Sequence, residues 1–192
     1  MADISEFLKQ DATMLSKMKH PNILQLVELP LEDSKTLAFV TEPVEYPLSY
    51  LFENYKTKHL IPGLLDIKLI ILQLMESLHF LHNNAKRVHL MISPENIYLT
   101  KDGKVKLGGM NCLQEHTAGQ FKTVQFSYQP YCGGTLALAP NLRFTAPEIG
   151  NESKCSFTSD VFSLGCIIFY LVELDQGKDP FMIKMENPYL ES

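Results

Sequence analysis

From Val161 to Val172 the chain reads Val-Phe-Ser-Leu-Gly-Cys-Ile-Ile-Phe-Tyr-Leu-Val, without a single charge. Thr158-Ser159-Asp160 just before it is a helix N-cap signal. A helix apolar on nearly every side is stable only when neighbours cover it all round. The run is too short to cross a bilayer, which takes roughly 20 apolar residues. It therefore predicts a central, buried helix, around which the rest of the chain must be organised.

The chain has enough material for that. Its 192 residues, 45% apolar and 20% charged, are those of one globular domain with a real core. The net charge of -5 leaves no basic stripe, and Arg87 and Arg143 are the only guanidinium groups, which argues against nucleic acid as a partner. Cys112, Cys132, Cys155 and Cys166 are far apart, with neither metal nor redox spacing. They read as free thiols in a reducing compartment. The start, Met1-Ala2-Asp3-Ile4-Ser5-Glu6, lacks the basic and apolar blocks of a signal peptide. The expected location is the cytoplasm, where the sequon Asn151-Glu152-Ser153 is a chance match.

Periodicity sets out the remaining elements. Phe7, Met14, Leu15 and Met18 give one apolar face to a short helix from about Ile4 to Met18. Two β-rich runs, Ile23 to Leu29 and Thr36 to Val44, flank the polar turn Glu32-Asp33-Ser34-Lys35 and predict a hairpin. A short helix is expected from Leu48 to Tyr55. A long amphipathic one follows on Leu64, Ile67, Ile71, Leu74, Leu78 and Leu81. Tyr98 to Thr100 and Lys104 to Leu107, around Lys101-Asp102-Gly103, read as strand, turn, strand. Gly109 to Glu148 is irregular and too long for a mere connection.

Three motifs stand in order: Val88-His89-Leu90-Met91-Ile92-Ser93-Pro94-Glu95-Asn96-Ile97-Tyr98-Leu99, Val105-Lys106-Leu107-Gly108-Gly109-Met110-Asn111, and Ala146-Pro147-Glu148. They resemble those of the protein kinase family: the first its catalytic loop and following strand, the second the strand entering its metal-binding segment, and the third the end of its activation segment. Within that family the chain is similar to the Scy-like pseudokinases, and to their clathrin-coated-vesicle branch. The residues carrying this are Thr41-Glu42-Pro43-Val44, Ser93 to Ile97, and Ala139-Pro140-Asn141-Leu142-Arg143-Phe144-Thr145-Ala146-Pro147-Glu148.

The resemblance implies an α+β kinase-like fold. Residues 1–44 would be the remnant of a small lobe, with regulatory helix, two strands and hinge. Residues 45–192 would be part of a helical large lobe. It also implies that the chain starts at the regulatory helix, without a glycine-rich loop or third-strand lysine. It would stop before the later large-lobe helices, whose arginine would pair with Glu148. Such a fragment is expected to be marginally stable, with an open strand edge.

The motifs also depart from the family. Met91 stands where the proton-accepting aspartate belongs, and a thioether is no base. Ser93 replaces the phosphate lysine, and Gly109 the magnesium-bridging aspartate. No catalytic residue and no metal site are expected, because the remaining amide of Asn96 is a poor magnesium ligand. Asn96 is more simply a brace for the loop backbone. Leu90 removes the arginine that would hold a phosphorylated loop. Residual nucleotide contact would fall to Glu42 and Val44 at the hinge, to Asn96, and to Tyr98 below the adenine ring. Any ATP binding is expected to be weak and magnesium not held. Leu15, Leu26, Met110 and His89 match the hydrophobic stack coupling the lobes, with Asp160 anchoring it through backbone near His89.

Asp11, at the regulatory-helix glutamate position, is expected to be solvated. His79 and His82 read as ordinary surface histidines, and Met14 and Met18 as core. The function implied is an inert kinase-like scaffold in cytoplasmic vesicle traffic, at Golgi, endosomal or clathrin-coated membranes. Its partners would be coat or adaptor proteins, without insertion into the bilayer. The alternative is a Ser/Thr kinase with weak, atypical phosphotransfer.

Overall fold

The structure is a computed structural model and describes residues 4–32, 36–58, 61–116, 122–123, 140–152 and 154–177. The predicted turn tip, Cys132, Ser153 and most of the long irregular segment lie outside the described residues.

Helix α1 (Ile4–Lys17) opens the chain, followed by the antiparallel hairpin β1 (Leu26–Glu32) and β2 (Leu37–Thr41). On α1, Ala12 and Leu15 are fully buried and Met18 follows into the core, while Met14 packs at its edge. The hairpin begins later than the sequence pattern suggests. Ile23 forms a parallel bridge to Leu107, Leu24 N–H donates to the Leu107 carbonyl, and Leu107 N–H donates to that of Asn22. The first half of the apolar run thus joins a different sheet from the second.

That sheet is β3 (Tyr46–Pro47), β5 (Ile97–Leu99) and β6 (Val105–Leu107), in that order and antiparallel. Strands β5 and β6 enclose the predicted turn, tightened by Gly103 N–H donating to the Thr100 carbonyl. Between β3 and β5 in sequence come α2 (Leu48–Lys58), α3 (Leu64–His79), a π-helical turn over Phe80–Asn84, and β4 (Arg87–Val88). Strand β4 pairs with β7 (Gln114–Glu115), and β8 (Lys122–Thr123) with β9 (Lys154–Cys155). A short α4 (Pro147–Glu152) precedes α5 (Phe157–Asp175).

The α3 periodicity holds in outline, with Ile67, Ile70, Leu74, Ser77 and Leu78 buried. Leu64, expected on that face, is 58% exposed, because it opens the helix before the first core turn. Helix α5 is the central one, but starts earlier than its capping signal. Ser156 is the N-cap, and its N–H donates to Ser159 Oγ. At 19 residues the helix is long and apolar enough, by composition alone, to cross a bilayer. Half of that window is buried inside the domain, and a fully buried Asp160 is bonded to the loop before β5, so α5 serves as the core helix. Its cover is one-sided: Val161, Phe162, Phe169 and Val172 remain exposed, against the expectation of a helix wrapped all round. Core contacts come from α2, α3 and Phe144, with Phe52 and Phe144 both packed against Tyr170.

Candidate functional site

The loop between β4 and the 3-10 turn Pro94–Asn96 hangs from α5 by one side chain. Asp160 Oδ2 accepts from His89 N–H at 2.7 Å, and its Oδ1 from Leu90 N–H at 2.9 Å. These bonds hold Leu90 in the left-handed region, at φ 68°, which a leucine rarely adopts. His82, from the π-helical turn, brings Nε2 within 2.8 Å of Asp160 Oδ2 and stacks on Phe157. It is therefore no ordinary surface histidine, although His79 stays exposed.

His89 is fully buried and wired at both ring nitrogens. Its Nδ1 accepts from Met91 N–H at 3.1 Å, so Nε2 carries the proton donated to the Gly108 carbonyl at 3.0 Å. Burial holds its pKa below the ordinary value, consistent with a neutral ring that orients the backbone.

The residues that the resemblance matches to catalytic positions are held by structural contacts. Leu90 and Met91 are buried in a cluster with Val88, Cys112, Ala146, Ile149 and Cys155, with Phe157 against it. The pair replacing Arg-Asp thus joins the loop to the start of α4 through apolar contact. Ser93 is 2% exposed and its Oγ has no partner among the described residues. Asn96 Nδ2 donates to the Met91 carbonyl at 2.8 Å, while Gly108 N–H donates to the Asn96 carbonyl. Gly109 is left-handed at φ 72°, and a Cβ there would lie 2.6 Å from Asn96 Cγ. The asparagine side chain occupies the space a residue at 109 would need.

Met110 is fully buried in the same core cluster as Leu15, and Leu26 packs against that cluster. Asp11 corrects the expectation of a solvated group: its Oδ1 accepts from Met110 N–H at 2.5 Å. Burial, partly offset by that bond, pushes its carboxyl up to about 6. Helix α1 is thereby tied to the turn at Met110. Tyr98 is half-buried beside Gly108, where a Cβ would meet its ring at 2.9 Å. Burial, then the negative charges of Asp11 and Glu95, raise its phenol.

At the hinge, Val44 packs on the core. The Glu42 carboxylate bonds Gln25 N–H through Oε1 and the Lys106 ammonium through Oε2. Glu148 accepts from Ser159 Oγ at 2.7 Å, a partner within α5 that the sequence did not suggest. Among the described residues no cluster of three His, Cys, Asp or Glu could hold a metal.

Sequence reasoning missed His82, Asp11 and Lys106 as structural participants. Lys106 alone carried a local signal, a lysine between two apolar residues of a short buried strand. The bonds of Asp11 and His82 join residues 99 and 78 apart and leave no trace in local pattern.

Comparison with known proteins gives the class. Residues 3–191 match the protein kinase domain, and the chain belongs to that family. Within it, the chain is 36% identical over 185 residues to the protein kinase-like protein SCY1 of Saccharomyces cerevisiae, covering 92% of this chain and 22% of that one. It is 32% identical over 197 residues to SCY1-like protein 2 of Homo sapiens, covering 97% and 21%. A protein named serine/threonine-protein kinase SSN3, from Chaetomium globosum, is 30% identical over 178 residues, covering 89% and 32%. The chain thus spans about a fifth of the length of the two SCY1-type relatives.

Proposed function

We propose that this chain is a catalytically inert kinase-like domain that acts as a binding scaffold. One observation carries the reading: the residues in the catalytic positions are structural. Leu90 and Met91 belong to an apolar cluster, and Asn96 is bonded to the Met91 carbonyl against Gly109. Phosphoryl transfer is mostly positioning and charge neutralisation. Met91 offers no proton acceptor and Gly109 no metal carboxylate, and a general base alone contributes ~10²–10⁴-fold. We assign no cofactor: ATP contact through Glu42, Val44, Asn96 and Tyr98 is weak, and magnesium is not held. The division between small-lobe and large-lobe elements falls at the hinge, after Val44.

The setting, cytoplasmic vesicle traffic with coat or adaptor proteins as partners, rests on the resemblance to the clathrin-associated Scy-like branch. Its test is co-sedimentation of the full-length protein with clathrin-coated vesicles, and a protein left wholly in the supernatant removes it. For inertness, the chain is incubated with labelled ATP, magnesium or manganese, and generic substrates. No incorporation is expected, and none after Met91→Asp alone. Incorporation that disappears on Asn96→Ala would instead support the second reading, a weak Ser/Thr kinase, which the similarity to SSN3 and the retained asparagine favour.

A further inference from the structure

Helix α3 is apolar on two sides. Ile67, Ile70, Leu74 and Leu78 face the core, while Leu65, Leu69, Leu72 and Met75 are 46% to 69% exposed. At about 3.6 residues per turn the second set, spaced four, three and three residues apart, lies opposite the first. A helix with one side on a core ordinarily turns a polar face to water, so a second apolar stripe calls for a second cover. The helix cannot roll to bury it. Gln73 Oε1 accepts from Asn22 Nδ2 at 2.9 Å and from Val105 N–H at 3.0 Å, and Ser77 Oγ donates to the Asn22 carbonyl at 3.1 Å, which fixes α3 about its own axis.

The charges beside the stripe say what the cover is. Lys68 and Glu76 are both exposed, each four residues from Leu72, and neither is in an ion pair among the described residues. Two copies of α3 laid antiparallel about Leu72 bring Leu72 level with Leu72 of the second copy and Leu69 level with its Met75. The same register brings Lys68 level with Glu76 of the second copy, and Glu76 with its Lys68. A parallel register would instead set lysine against lysine and glutamate against glutamate, which opposes association. The face is thus complementary to itself under a two-fold axis, as an isologous contact requires. The apolar strip is on the order of a few hundred Å², the scale at which exposed patches mark interaction sites. That is well under the ~800 Å² per partner of a standard stable interface, so the association it supports is weak and reversible.

We propose that the outer face of α3 is a contact between two copies of this chain, paired antiparallel with Leu72 on the two-fold axis and Lys68 of each copy beside Glu76 of the other. The contact goes beyond the scaffold reading and holds whether or not the chain transfers phosphate.

Sedimentation velocity of the 192-residue chain tests it. Between about 1 and 200 µM the parent is expected to pass from monomer towards dimer, the range of a weak interface. Leu72→Glu sets two carboxylates together on the axis and should leave the chain monomeric throughout, with the circular dichroism of the parent at the lowest concentration, because the side chain it replaces is exposed. Lys68→Glu and Glu76→Lys should each weaken association at least about tenfold, and the two substitutions together should restore it. These exposed charge reversals supply folded variants if Leu72→Glu fails to fold. A parent that stays monomeric at the highest concentration overturns the contact, as does association that survives in folded Leu72→Glu or that the single charge reversals leave unchanged.

Discussion

Asp160 and Asp11 are both aimed at backbone amides, those of His89 and Leu90 for the first and of Met110 for the second, yet the two junctions are built differently. Asp160 lies wholly inside the helical body and receives two backbone N–H groups, with a histidine ring as third neighbour. Asp11 has one amide, Met110 N–H, and a carboxyl raised by burial. A carboxylate met by several donors is an anchor, whereas one met by a single donor in an apolar setting is more easily left protonated. The loop is therefore pinned firmly to α5, while α1 is held to the turn at Met110 by a bond that responds to pH.

The largest effect should come from Asp160→Ala. It strands the N–H groups of His89 and Leu90 and releases a left-handed leucine, a loss of about 3–5 kcal/mol. Denaturant unfolding should show this, and a midpoint close to that of the parent would mean that the loop holds itself. Gly109→Asp comes next. Although aspartate tolerates a left-handed backbone better than most residues, its Cβ must displace Asn96 from the Met91 carbonyl, an overpacking of about 1–3 kcal/mol. The melting temperature should fall and magnesium should not recover it; recovery with magnesium would show that the centre can still be rebuilt.

Asp11→Asn should act in the opposite direction. The folded carboxyl, raised to about 6 from the ordinary 3.8, favours the protonated form. Its stabilisation is complete below the unfolded value and is lost as pH rises through about 6. Asparagine keeps an acceptor oxygen without the buried charge, so the variant should gain about 1–2 kcal/mol at pH 8 and essentially nothing at about pH 3, below the unfolded value. The measurement is the difference between the two stability curves across that range, and a flat difference would dissolve the contrast with Asp160. The smallest effect is expected from Asp102→Asn. Bonds from Lys104 and Thr100 hold this carboxyl down to about 2, but it stands in water at a turn. No measurable change in melting temperature should follow.

Much of the fold could be read because its signals are local. The 3.6 periodicity of α1 and α3, the Lys101-Asp102-Gly103 turn and the loop around Asn96 all appear in the structure. What failed was register and cover. An apolar run cannot say that Ile23 will join Leu107 while Leu26 joins Thr41, because either partner would bury it. Nor could the uncharged α5 run announce that Val161 and Phe169 face outward. At the centre, the losses at Met91 and Gly109 were plain from residue chemistry. The replacement contacts, Leu90 among apolar neighbours and Asn96 against Gly109, depend on which side chains meet in space.

The crowding at Gly109 also bears on descent. Regaining a carboxylate there takes one substitution on paper, but the first carrier would lose stability before it gained any chemistry. A domain with only ~5–15 kcal/mol in hand tolerates few such steps. The return path would have to pass first through Asn96, whose amide now braces the loop and whose removal leaves the Met91 carbonyl without its donor. Asn96, which the chain retains, keeps position 109 from regaining a side chain, so the glycine there behaves as an epistatic ratchet, and lineages that inherit it should vary elsewhere on the domain before they vary at this pair.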